Sequence, residues 1–409
     1  MSTTEIVNIG QLVTMRGSHG PRRGQEMNNI GLIEDAVVHF DGEMITFAGS
    51  RIDAPKIQSG YAGCIDVEGK VVTPGLIDAH THAVFAGNRA DEFEQRALGA
   101  TYQEIAAKGG GILSTVAKTR DSSESKLLEE SNKHVEWMIR SGTTTAEIKS
   151  GYGLNLETEL KMLMVALELD SDQFTVVRTF LGAHAVPPEA KSKAEYLDHV
   201  IDEMMPTLRH QCEFVDMFVE DKYFNHDDAR RYAHAAKKLG LGIRLHVDQM
   251  GDSGGAQLAA ELGAKTADHL EFTGNDGIRA LAKSQTMPVL LPGSVYGIRS
   301  EKYPNAKLMM ELGLPVVLAT DFNPGSSPTP SLPFCMSLAM TKMGMSVAEC
   351  LTACTINAAN SLNRSDLIGS VERGKMADLA IWPIRDYREI GYWMGLPLPV
   401  SVIKRGQLL

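Results

Sequence analysis

The chain has 409 residues, 43% of them hydrophobic, and a formal net charge of −11, so it can bury a large core, expected as one large domain plus a smaller one. The acidic balance, with no dense Lys/Arg run, excludes a nucleic-acid partner. No apolar run reaches the roughly 18 residues of a membrane span, and the opening MSTTEIVNIG has no secretory character, so no membrane partner and a cytoplasmic address are expected.

In chain order, residues 4–73 carry short runs such as Ile6-Val7-Asn8-Ile9 and Met44-Ile45-Thr46-Phe47-Ala48 between Gly and Asp turns, which predicts antiparallel strands. From Val71 strands alternate with helices. Strands are predicted near 71–79, 143–148, 174–181, 213–219, 242–247, 265–269, 287–291 and 315–320. Between them, stretches such as Lys126 to Ile139, Glu157 to Leu169, His226 to Leu239 and Gly254 to Leu262 repeat apolar residues at three and four, as amphipathic helices do. Eight βα units imply a closed α/β barrel. Helices near 331–342 and 347–360 then precede strands at 377–382 and 400–404. Neither terminal β segment can close a core alone, so residues 1–73 and 363–409 are expected to build one composite β domain around a barrel of residues 74–362. The cysteines Cys64, Cys212, Cys335, Cys350 and Cys354 form no CxxC pair and are expected to be buried, reduced thiols.

The first barrel strand ends in His80-Thr81-His82. Side chains alternate along a strand, so both imidazoles face one side and can grip one ion. An isolated His-x-His is a weak signal, but His246 ends the fifth strand, His269 the sixth, and Asp321 follows the eighth, at the rim where barrel enzymes keep their chemistry. Three imidazoles (His80, His82, His246) and Asp321 suit one divalent or trivalent ion, zinc or iron, that makes water acidic. Asp321 is the candidate to move the proton, and His269 to orient water or polarise a substrate. The remaining histidines of the loop and helix segments, His19, His39, His134, His199, His210, His226 and His234, read as surface or structural residues.

PGLIDAHTH, the strand-end His246 and His269, and Ala319-Thr320-Asp321 together resemble the amidohydrolase superfamily over most of the chain. The resemblance implies a distorted (β/α)8 barrel (a TIM barrel) with a small β-sandwich built from both termini. It also implies a mononuclear centre, because no Lys stands at the end of the fourth strand to bridge two metals. Within that superfamily FAGNRADEFEQRALGATYQEIAAKGGGI, TTTAEIKSGYGL, FLGAHAVPPE and ATDFNPGSSPTPSLPF are similar to a branch acting in histidine breakdown. That similarity implies hydrolysis of the cyclic amide of 4-imidazolone-5-propanoate to N-formimidoyl-L-glutamate.

A propanoate tail needs a cation and donors, which Arg89 with Tyr102 and Tyr152 can provide. The family pattern implies that His184 contacts the ring and that Asn323, Gly325 and Ser326 line the pocket. Gly109-Gly110-Gly111 reads either as a close approach to ligand or as a lid hinge. One departure stands out: where that branch reads HADE, this chain reads His246-Val247-Asp248-Gln249. Gln249 hydrogen-bonds without titrating, so it is expected to orient the ring while Asp321 and His269 carry the acid/base work. Two other readings stay open on sequence alone: action on another ring, such as deamination of a guanine-like compound, and a non-catalytic scaffold. A homodimer is the default expectation.

Overall fold

The computed structural model describes the chain apart from residues 1–2, 18–19, 58–60, 102–103, 106–108 and 399. Among the described residues the strands form two eight-stranded sheets. The first takes β1 (Thr3–Val13), β2 (Leu32–Asp41), β3 (Met44–Ser50), β4 (Tyr61–Asp66) and β5 (Val71–Pro74) from the N-terminal part, and β14 (Leu379–Trp382), β15 (Ser401–Lys404) and β16 (Gln407–Leu408) from the C-terminal part. Its strands enclose one apolar cluster that includes Ile6, Leu12, Val38, Phe40, Leu379 and Ile403. Both ends of the chain are therefore needed to bury it.

The expectation of purely antiparallel strands is corrected here. β1 pairs antiparallel with β2 but parallel with β4 and β5. The chain crosses over after β3 and returns on the other side of β1 in the same direction, which a hairpin cannot do.

The second sheet is parallel throughout and runs in chain order: β6 (Leu76–Thr81), β7 (Thr143–Lys149), β8 (Thr175–Ala183), β9 (Phe214–Val219), β10 (Gly242–Val247), β11 (Thr266–His269), β12 (Met287–Leu290) and β13 (Val317–Leu318). The predicted first strand at 71–79 is divided in the structure. Val71–Pro74 belongs to the terminal sheet, pairing with β14, and Gly75 marks the transfer. Its N–H donates to Asp378 O, and a Cβ there would collide with the Thr144 side chain. The barrel closes between its first and last strands at the rim: Asp321 N donates to His80 O at 3.0 Å and His82 N to Phe322 O at 2.9 Å. The seam of the barrel thus lies at the candidate metal ligands.

The outer helices fall where apolar periodicity puts them, at Glu124–Arg140, Leu156–Leu169, His226–Lys238 and Gly255–Leu262. Side-chain caps satisfy their orphan N–H groups in several cases; Asn225, for example, forms a reciprocal capping box with Asp228. The predicted helix at 347–360 is two, Val347–Ala353 and Ile356–Ser361. Four cysteines are buried free thiols as expected, whereas Cys64 is exposed on β4, which lies off the main run of its sheet and pairs with β1. Among the described residues no helix is long and apolar enough to cross a membrane.

Candidate metal centre

Ligand atoms of His80, His82 and His246 lie within 4.8 Å of one another, as do those of His80, His269 and Asp321. Asp321 Oδ1 stands 3.6 Å from His80 Nε2 and 3.5 Å from His82 Nε2. The five side chains predicted from four separate strand ends therefore meet at one point. Two of them depend on unusual backbone. His269 has φ 82° and Asp321 φ 53°, conformations that a side chain bearing a Cβ adopts at a cost of order 1 kcal/mol or more. At His269 this breaks the strand's alternation, so that consecutive residues Asp268 and His269 both turn inside the barrel, Asp268 beneath His80 and His269 at the mouth.

His80 Nε2, His82 Nδ1 and His246 Nε2 are buried without a hydrogen-bond partner. An orphaned buried polar atom costs on the order of 1–3 kcal/mol, and those on His80 and His246 fit a cation that would satisfy them, with His82 turning its Nε2 to Asp321. Burial, the largest influence, holds His80 and His82 well below the usual imidazole range, lowers His246, and takes His184 down to about 3. Neutral imidazoles keep the lone pair that a metal requires. Burial also raises the Asp321 carboxyl, against the pull of His269. His269 is the exception among the rings: burial opposes its charge, but Glu271, by charge and hydrogen bond, together with Asp321 outweighs it and raises the pKa to about 9.

Behind the imidazoles stand carboxylates that sequence reasoning missed. Asp268 Oδ2 lies 2.6 Å from His80 Nδ1, Asp216 Oδ2 lies 3.0 Å from His246 Nδ1, and Glu271 Oε1 lies 3.2 Å from His269 Nδ1. Each can fix the ring so that its other nitrogen faces the centre. A signal was present: Asp216 interrupts the apolar strand FVDMFV and Asp268 precedes the strand-end His in TADH. A carboxylate inside a buried barrel strand must find a partner there.

On the substrate side one cavity is lined by His82, Arg89, Tyr152, His184, Gln249, His269, Asp321, Asn323 and Ser326, with Phe218, Tyr223 and Ile298 completing its apolar wall. Arg89 is 5% exposed and its Nε and Nη1 atoms are buried without a hydrogen-bond partner. A carboxylate of Glu92 stands 3.7 Å away, but its other oxygen accepts from Gly111 N. Gly325 backs Arg89 rather than lining the cavity, since a Cβ on it would overlap the guanidinium. Asn323 Oδ1 accepts from Gly325 N and Ser326 N, and Ser326 Oγ donates to Asp321 Oδ2 at 3.1 Å. His184 stacks on His82 with ring centroids 5.1 Å apart. The Gln249 side chain faces the cavity while its backbone N–H donates to Glu220. Gly109 and Gly111 both take positive φ, as turn glycines do. Tyr102 lies outside the described residues.

A family model described as "Amidohydrolase family" matches residues 71–409. The chain is 48% identical over 411 residues to a Solibacter usitatus protein named "Imidazolonepropionase", covering 100% of this chain and 98% of that one. It is 46% identical to a protein of the same name from Geobacillus kaustophilus, covering 98% and 96%. Among solved structures it is similar to a triazine hydrolase variant, with TM-score 0.76 and 16% identity over 100% of this chain and 94% of that one. It also resembles a Xanthomonas campestris adenosine deaminase with bound zinc, at TM-score 0.70 and 17% identity over 100% and 92%. At such identities these two structures bear on the fold alone.

Proposed function

We propose that this chain, which belongs to the amidohydrolase family, hydrolyses the cyclic amide of 4-imidazolone-5-propanoate to N-formimidoyl-L-glutamate, as its relatives' shared name implies. The observation that carries the reading is the buried guanidinium of Arg89, with two nitrogens that make no hydrogen bond, opening on the same cavity as His82, His246 and Asp321. One end of that cavity suits a carboxylate and the other a hydrolytic centre.

His80, His82, His246 and Asp321 would hold one ion, and a donor set of three nitrogens and one oxygen suits zinc or iron. Such an ion supplies acidity to water and polarises a carbonyl. Arg89, with Tyr152 and Tyr102, holds the propanoate and so places the ring against His184 and Gln249. Asp321, oriented by the Ser326 hydroxyl, accepts the proton of the attacking water as its oxygen bonds to the ring carbonyl carbon. It then delivers that proton to the ring nitrogen as the C–N bond breaks. His269, kept charged by Glu271, donates to the oxyanion that develops in between. Gln249 orients the ring by hydrogen bonds and takes no proton.

The same reading takes residues 74–362 as the catalytic barrel and residues 1–73 with 363–409 as a β-sandwich supporting it. It also takes the protein to be cytoplasmic, which four buried free thiols support, and to act as a homodimer. The deciding experiment follows the imidazolone absorbance with purified protein, with and without chelator. The reading requires loss of the chromophore that chelation stops and zinc or iron restores. Absence of turnover with the metal-loaded protein refutes it.

A further inference from the structure

Beneath the candidate ligands the barrel interior holds Glu147, Lys149, Asp216, Arg244 and Asp268, all fully buried. Apolar side chains there would stabilise the fold as well or better, because desolvating charges costs several kcal/mol per ion. Stability alone therefore does not account for this layer. Its geometry does point to a role. Lys149 Nζ lies 2.7 Å from Glu147 Oε1, 2.7 Å from Asp216 Oδ2 and 3.7 Å from Asp268 Oδ2. Those last two oxygens are the same atoms that face the imidazoles, Asp216 Oδ2 that of His246 and Asp268 Oδ2 that of His80. Arg244 also approaches Asp268, at 3.6 Å. Its hydrogen bonds to the carbonyls of Ala79 and Ser361 tie it to the fold, and of the two orienting acids it forms an ion pair with Asp268 alone. Among the described residues, Lys149 has the one ammonium group placed against both orienting carboxylates.

We infer that Lys149 is a positioning residue for the metal centre: a single ammonium group joins the two carboxylate oxygens that set the rings of His80 and His246, so that both ligands are held as one unit. Without it Asp216 loses its ammonium partner, Asp268 keeps only Arg244 at 3.6 Å, and the two rings lose the group that links the acids aiming them.

The inference rests on the reading that the centre holds a metal, and the test separates the two. Zn²⁺ affinity is measured on the metal-stripped full chain by competition with a chromophoric chelator. The proteins compared are wild type, Lys149→Met, and Lys149→Met combined with Glu147→Gln. The double variant returns the buried layer to its original excess of one negative charge without restoring the link to Asp216. Lys149→Met is expected to weaken Zn²⁺ binding about 10–100-fold, the usual effect of losing a partner behind a ligand. The double variant is expected to recover thermal stability yet keep the weakened affinity, and it carries the test should the single variant not fold. Affinity within about threefold of wild type in Lys149→Met, or full recovery in the double variant, overturns the inference. Failure of the wild-type protein to bind Zn²⁺ overturns the metal reading instead.

Discussion

Arg89→Met removes the guanidinium and keeps much of the side chain's bulk. The cost follows from what the structure gives Arg89: near-complete burial, two nitrogens without a hydrogen bond, and no carboxylate closer than the 3.7 Å contact of Glu92 with Nη1 among the described ion pairs. A hydrogen-bonded interaction with a charged group contributes about 1.5–3 kcal/mol. At about 1.4 kcal/mol per factor of ten, the Michaelis constant should rise between about 10-fold and 100-fold. The propanoate is remote from the bond that breaks, so kcat should change far less. The assay is steady-state loss of imidazolone absorbance with two substrates, the propanoate and its methyl ester. Wild type should prefer the acid by the same factor that the variant loses, and the variant should scarcely distinguish them. An unchanged Michaelis constant, or a variant that still prefers the acid as strongly as wild type, refutes the assignment.

Asp321→Asn keeps an oxygen at the centre but cannot carry a proton, so kcat should fall about 10²–10⁴-fold while elemental analysis still finds metal; turnover equal to wild type removes Asp321 from proton transfer. Gln249→Glu should alter kcat less than about tenfold, because an amide that only orients the ring leaves no proton-transfer step for the new acid to rescue. A thousandfold rise would place the acid/base work at position 249. Burial raises the Asp78 carboxyl from 3.8 to about 7. Its protonated form is favoured in the fold, so its contribution to stability is full below the unfolded value and is lost as pH climbs through about 7. Asp78→Asn should flatten that fall, by up to about 4 kcal/mol at roughly 1.4 kcal/mol per pH unit, in urea unfolding of the metal-free protein at pH 4 and pH 8. Parallel pH profiles for the two proteins would contradict it.

The barrel was legible because its grammar is local. A strand that must be buried on both faces reads as an apolar run, and helices such as Glu124–Arg140 repeat apolar residues to cover it. His80 and His82 declared themselves through the period of two, and His246, His269 and Asp321 through their places after later strands. Arg89 was legible as a cation near the mouth, although its burial without hydrogen bonds to two of its nitrogens was not. The division at Gly75 escaped notice because Val71–Pro74 and Leu76–Thr81 are equally apolar; only the strands that pair with each reveal two sheets.

By itself, then, the amino-acid order determined which side chains could chelate, which could titrate, and that His80 and His82 share one side of their strand, since these follow from residue type and backbone period. Tertiary structure decided what those side chains face. Lys149 and Asp216 lie 67 residues apart, and His80 and Asp268 lie 188 apart; no local pattern links them. Their pairing arises only when the barrel closes and water is excluded. That same exclusion keeps His184 neutral and sets His269 apart from the other imidazoles, because a charge out of water is governed by its nearest neighbours.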